Sequence, residues 1–154
     1  MNLCLDSSVV IDVLRGRTPI YRERLEEAEE RGDSLTISSI VLHELVYGAM
    51  ISADPAKQMA RVEALTSRVH VEPWNVDDAM AAARLRAELK RNGNSIGSFD
   101  ALIAGQALAR GWIVVTGNLR EFARVHGLSL IDWSISDRPV SAEVKIASLR
   151  SPRK

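Results

Sequence analysis

Asn2-Leu3-Cys4-Leu5-Asp6-Ser7-Ser8-Val9-Val10-Ile11 is an apolar run that stops at a carboxylate and resumes with helical spacing. Leu3, Cys4 and Leu5 suit a strand covered on both faces, whereas Val9, Val10, Val13 and Leu14 fall on one side of a helix. The stretch therefore predicts a buried strand that delivers Asp6 to the carboxyl edge of a sheet, with Ser7 or Ser8 capping the following helix. In an open α/β sheet ligands bind beyond that edge, so Asp6 is a candidate for chemistry. A plain capping role for Asp6 is the competing reading, because Asp is common at helix starts.

The rest of the chain repeats the alternation. A helix opens at Thr18-Pro19 and runs to about Arg31-Gly32, its mixed charges reading as a solvated face. Leu35 to Ser38 reads as a second strand, after which Ser38 or Ser39 caps a helix carrying Ile40, Val41, Leu42, Leu45 and Val46. Glu44 lies in its first turns. Asp54-Pro55 starts another helix, Val69 to Val71 is a short strand, and Asn75 caps a long helix from Val76 to about Asn92 that Gly93 ends. Met80, Ala83 and Ala87 share one side of it, and Arg84, Arg86, Lys90 and Arg91 form a basic flank that reads first as solvent face.

Ser98-Phe99-Asp100 opens a helix through Ala109, with Asp100 in the first turn, where free backbone amides favour negative charge. Trp112 to Thr116 is the clearest strand, Gly117-Asn118 a strand-end loop, Arg120 to Ala123 a short helical turn and Leu128 to Ile131 a last strand. From Ser134 the apolar periodicity fades, so residues 1–133 are expected to form the domain and 134–154 a loose tail. Strands alternating with helices predict a parallel sheet flanked by helices, a three-layer α/β/α architecture. If the fourth strand lies beside the first, Asp6, Glu44, Asp100 and the Thr116-Gly117-Asn118 loop converge on one cleft.

Composition narrows the function. The chain has 154 residues, enough for one domain with its own core, and a single cysteine in an apolar run, which points to a reducing, cytoplasmic setting. No segment approaches the roughly 20 apolar residues of a membrane span. Lys and Arg number 20 against 20 for Asp and Glu, so bulk charge lends no support to a polyanionic partner. A site must carry that argument. Three converging carboxylates repel one another, and a divalent cation relieves them; oxygen donors without Cys or His suit Mg²⁺ or Mn²⁺. Such a centre activates water and stabilises a phosphodiester under attack, which is nuclease chemistry in outline.

His43-Glu44 lacks the second His of a zinc protease, since Tyr47 occupies that place. A phosphoacceptor receiver domain would need an early acidic pair and a Lys after the fifth strand, and a haloacid-dehalogenase-type phosphatase an Asp where Ser8 stands. None of these patterns is present.

Leu5 to Ser8, Ser38 to Gly48, Ile96 to Ala104 and Val115 to Phe122, with Leu128 through Trp133, together resemble the PIN-domain ribonucleases of the VapC toxin type over about residues 1–133. The resemblance implies a PIN-like parallel sheet, metal-dependent cleavage of RNA with Mg²⁺ or Mn²⁺, a homodimer and neutralisation by a small VapB-like antitoxin. It also matches Asp6, Glu44 and Asp100 to the metal-binding acids. Ser8 stands where the family commonly has Asn, which puts a supporting hydrogen bond in question. Asn118 stands where many members have a fourth Asp, leaving a second metal position open, with Glu121 as the nearby substitute. The expected catalytic set is thus Asp6, Glu44, Asp100, Asn118 and Glu121. The antitoxin's apolar segment is expected near Val9, Val13, Leu45 and Tyr47. The alternative is a PIN fold that binds RNA or protein without cutting; the presence of all three acids speaks against it.

Overall fold

The structure, a computed structural model, describes residues 1–141. The remainder of the expected tail lies outside the described residues. Strands β1 (Asn2–Leu5), β2 (Ser34–Ser38), β3 (His70–Glu72), β4 (Ile113–Val115), β5 (Ser129–Ile131) and β6 (Val140–Ser141) form one sheet in the order β3-β2-β1-β4-β5-β6. The first five are parallel, as the β/α alternation requires. β6 pairs antiparallel with β5, so the sheet continues past Trp133, where the apolar pattern had faded. An edge strand of two residues next to Pro139 leaves almost no periodic signal, and an edge tolerates the missing proline donor.

The helices are α1 (Ser7–Arg15), α2 (Pro19–Glu30), α3 (Ser39–Met50), α4 (Pro55–Thr66), α5 (Val76–Arg91), α6 (Ser98–Arg110) and α7 (Leu119–Phe122). Leu3, Cys4, Leu5, Ile37, Val114, Val115, Leu130 and Ile131 fill the sheet's interior, as two covered faces demand. Burial in this apolar layer pushes the Cys4 thiol up to about 12, which makes it an inert packing residue. No helix among the described residues is long and apolar enough to cross a membrane.

The long helix α5 carries two apolar stripes and buries only one of them. Asp78, Ala82, Leu85 and Leu89 are buried, while Val76 and Met80 are 77% and 52% exposed and Ala83 and Ala87 also face outward. The Met80-Ala83-Ala87 side is therefore the outer face. Gly105 of α6 explains the choice: a Cβ there would lie 2.5 Å from the Ala82 Cα, so α5 and α6 approach backbone to backbone along the Ala82 side. At that end a polar network centred on Asp78 ties the hairpin. Asp78 makes a reciprocal capping box with Asn75 and accepts from Gln106 Nε2 at 3.0 Å and from Arg110 Nε and Nη2 at 3.1 and 3.0 Å. Arg110 also reaches Glu72 at 2.5 Å.

Candidate functional site

β1 lies between β2 and β4, so the carboxyl ends of these three strands are neighbours at the topological switch point. Asp6 follows β1 directly and is 1% exposed. It occupies the N-cap position of α1, yet its side chain makes no capping bond to the backbone. Neither Ser7 nor Ser8 is the cap; both lie inside the helix and serve the carboxylate instead. Ser8 Oγ donates to Asp6 Oδ2 at 2.7 Å, Thr116 Oγ1 donates to the same oxygen at 2.9 Å, and Ser7 Oγ approaches Oδ1 at 3.5 Å. The plain capping reading of Asp6 therefore fails.

The two hydroxyls are themselves held. Ser8 Oγ accepts the Gly117 N–H at 3.2 Å and Thr116 Oγ1 accepts the Asn118 N–H at 2.8 Å. The bond that Ser8 put in question is thus supplied by its hydroxyl, and the loop after β4 is stitched to the start of α1. Thr116, fully buried, was expected at the strand end but not in this task.

Glu44 and Asp100 come from α3 and α6. Ser38 caps α3 by accepting the Ile40 N–H at 3.1 Å, which fixes the helix that presents Glu44. His43, just before Glu44, packs against Phe99, just before Asp100, with ring centroids 5.7 Å apart, so the same contact registers both acids. Gly97 precedes α6 and lies close beneath Asp100: a Cβ at Gly97 would meet Asp100 Oδ2 at 3.0 Å. That oxygen accepts from Asn118 Nδ2 at 3.1 Å.

Burial, and then the charges of Asp6, Glu121 and Glu44, push the Asp100 carboxyl up to about 6. Burial also raises Glu44, against the Ser7 hydroxyl and His43, with Asp6 adding to the rise. Glu44 Oε2 is buried without a hydrogen-bond partner. The ion pairs of the described residues involve none of Asp6, Glu44 and Asp100. No lysine or arginine among the described residues is paired with them, and His43 alone favours the charged form of Glu44.

The expected convergence within a few ångströms is looser in the structure. Among the described residues no three His, Cys, Asp or Glu side chains are gathered tightly enough to enclose an ion as they stand. Glu121 sits at the rim: its Oε2 accepts the Gly97 N–H at 3.2 Å and its Oε1 lies 3.6 Å from Arg124 Nη1, which also donates to the Ser95 carbonyl at 2.7 Å. It ties the loop before α6 to α7. Asn118 turns its NH₂ toward Asp100, which leaves its oxygen free of that contact.

Comparison with known proteins places this arrangement. The model of the PIN domain family matches residues 3–128, and the chain is 39% identical over 134 residues to the tRNA(fMet)-specific endonuclease VapC of Shigella flexneri, covering 87% of this chain and 99% of the relative. The chain belongs to the PIN-domain family, among its VapC ribonucleases. Ribonuclease VapC2 of Haemophilus influenzae shares 36% identity over 84% of this PIN domain chain and 96% of its own length. Two solved structures superpose on it. One is DNA-bound VapBC from Salmonella typhimurium, with TM-score 0.80 and 39% identity over 86% of this chain and 98% of the other. The other is VapBC2 of Rickettsia felis bound to a promoter DNA fragment, with TM-score 0.81 and 30% identity over 86% and 99%.

Proposed function

We propose that this PIN domain is an endoribonuclease toxin whose cleavage of RNA depends on a divalent cation held by Asp6, Glu44 and Asp100. One observation carries the reading: three acids at the switch-point cleft have no lysine or arginine partner among the described residues, and one of them has an orphaned buried oxygen. Asp78 and Asp33, whose carboxylates are also buried, are by contrast paired with cations of the chain itself. Mg²⁺ or Mn²⁺ fits the all-oxygen donor set, and because Mg²⁺ keeps several waters it suits carboxylates that are not drawn into a closed cage. Asp6 Oδ1 and Asp100 are the direct ligands on this reading, and Glu44 acts partly through water. Asn118 Oδ1, with Glu121 at the rim, completes a weaker second position.

A divalent ion bound there supplies a lowered pKa for coordinated water and charge stabilisation at the phosphodiester. The chain's own part is positional. Ser8 and Thr116 fix Asp6 Oδ2 and leave Oδ1 with only the 3.5 Å approach of Ser7, Asn118 fixes Asp100 Oδ2, and the His43–Phe99 contact holds α3 and α6 in register.

The relatives' names make initiator tRNA the first substrate to try. Purified protein should cleave it in Mg²⁺ or Mn²⁺ and lose the activity in EDTA, with recovery on adding either ion back; activity untouched by EDTA would reject the metal, and RNA left intact in both ions would reject the nuclease.

The same reading includes a VapB-like antitoxin and a homodimer. A groove of about 200 Å³ runs beside Glu44 between α1, α3 and α4, lined by Ile11, Leu14, Leu45, Ala49 and Val62. It suits an apolar antitoxin segment whose Arg reaches the carboxylates in place of the metal. Val9 and Val13, expected at this surface, instead point into the core, and Tyr47 does not line the groove. Tyr47, Met50 and Ile51 with Val76 and Met80 offer exposed apolar surface for the dimer.

A further inference from the structure

The acids of the site bring no positive charge toward an RNA strand, and the chain as a whole is neutral. The second half of α5 is locally positive. Between residues 84 and 91 it carries Arg84, Arg86, Lys90 and Arg91 against Glu88 alone. All four cations are exposed. Ion pairs take up Arg24, Arg31, Arg68, Arg110 and Arg124, but none of the four on α5, whose side chains have no hydrogen-bond or ion-pair partner among the described residues. Complementing the helix dipole would account for Lys90 and Arg91 in the last turn. It does not account for Arg84 and Arg86, which lie in the helix interior, where the dipole has no free end.

Geometry joins this charge to the site. A cleft of about 250 Å³ is lined by Arg86, Ala87 and Lys90 on α5, by Ser95 and Ile96 of the connecting loop and by Ala101 of α6. Ala101 is the residue after Asp100, and Gly97, next after Ile96, is the glycine beneath the Asp100 carboxylate. One wall of the cleft is thus unpaired cations and another is the segment that positions a proposed metal ligand.

We propose that this cleft is the subsite for the RNA backbone next to the scissile bond, with Arg86 and Lys90 neutralising its phosphates. The proposal rests on the ribonuclease reading above and adds where the strand runs. Phosphate contacts position a strand without reading its sequence, so these residues set affinity and register and leave the chemical step alone. An apolar floor of Ala87, Ile96 and Ala101 gives the adjoining sugar or base a surface to lie against.

The test uses the full chain. In an Asp6→Asn background, which keeps RNA intact, binding of a labelled single-stranded oligoribonucleotide is measured against salt for the parent, for Arg86→Glu/Lys90→Glu and for a control with the same charge change elsewhere, Arg17→Glu/Lys57→Glu. The α5 pair should weaken binding roughly tenfold or more beyond the control and flatten the logarithmic salt dependence by about 1.4, some 0.7 for each phosphate no longer neutralised. Arg86→Gln/Lys90→Gln should give an intermediate loss, and with Asp6 restored it should raise KM for RNA cleavage while leaving kcat within about twofold. Binding by the α5 pair equal to that of the control, or a fall in kcat with KM unchanged, overturns the subsite. A wild-type protein that cuts RNA while the α5 variants behave as controls removes the subsite alone; a wild type that neither binds nor cuts RNA removes the ribonuclease reading with it.

Discussion

Two acid-rich corners of the molecule use the same side chains to opposite effect. At the α5–α6 hairpin, Asp78 is 1% exposed and surrounded by donors, and although burial works against it, Arg110, the Asn75 backbone and Gln106 hold its carboxyl below the usual range. At the switch-point cleft, Asp6 is equally buried, and Asp100 beside it is pushed up to about 6 by burial and by charged neighbours that are all carboxylates. Burial alone does not separate the corners; the counter-charge does. The hairpin's buried acid is paired as folded and serves stability, whereas the acids of the cleft have no lysine or arginine partner. Stability forgone at one end of a parallel sheet is what leaves room for a ligand there.

The sharpest way to break this contrast is to remove one charged group from each corner, an acid from the cleft and a cation from the hairpin. Asp6→Asn should reduce RNA cleavage on the order of a thousandfold, comparable to losing a preorganised charge-stabilising group, with the fold retained because Ser8 and Thr116 can still bond the amide oxygen. Single-turnover cleavage of tRNA together with a circular dichroism melt checks both halves; substantial residual cleavage would take Asp6 out of the metal site. Arg110→Ala should do the converse. It strips the counter-charge from buried Asp78 and should cost about 3 kcal/mol in urea unfolding, while activity per folded molecule persists. A loss under about 1 kcal/mol would show that Gln106 and Asn75 suffice and that the Arg110 counter-charge is redundant.

How much of this was readable beforehand follows from range. The alternation of strands and helices, and Asp6 at the end of β1, are local patterns, and Asn75, Ser38 and the glycine-ended helices announced their own boundaries. Convergence of Asp6, Glu44 and Asp100 required only that β4 lie beside β1, as parallel right-handed crossovers allow. The side of α5 that is buried could not be read, because Met80-Ala83-Ala87 and Ala82-Leu85-Leu89 are both apolar stripes of helical spacing. The choice between them was made by Gly105, far along the chain, whose missing Cβ admits Ala82. Likewise Thr116 reaches Asp6 Oδ2 from far along the chain, and no spacing announces a bond across 110 residues. The edge strand β6 is too short to carry a period at all.

A smaller effect sharpens the comparison from the side of support. Ser8→Ala removes the shorter of the two hydroxyl bonds to Asp6 Oδ2 and the acceptor for the Gly117 N–H. Cleavage should fall about tenfold, the lower end for loss of a group that orients a metal ligand. Half-maximal activity should shift to higher Mg²⁺. Ser8→Asn, which restores an amide, should recover much of the loss; a Ser8→Ala enzyme with unaltered Mg²⁺ dependence would leave the orientation of Asp6 to Thr116 alone.

The smallest effect concerns the metal-free protein. Asp100 has a folded pKa of about 6 against an unfolded value near 3.8, so between those values the folded state binds more protons than the unfolded one. Stability from this group is therefore fully present below about pH 3.8 and is lost as pH rises through 6. Asp78 and Asp33, both held low, run the other way, and what they contribute is lost only as pH falls below the ordinary carboxylate range. The windows do not overlap. In EDTA, Asp100→Asn should thus be more stable than wild type at pH 7 by about 1 kcal/mol, well under the full value of a two-unit shift because the half-buried carboxylate is screened by solvent. That advantage should shrink as pH is lowered from 7 to 4, because wild-type Asp100 takes up its proton and the two proteins become electrostatically alike. Adding Mg²⁺ at pH 7 should favour the wild type instead. Parallel stability curves from pH 4 to 7 would mean that Asp100 feels its neighbours too weakly to need a cation, and the difference between the two corners would then lie in geometry and not in charge.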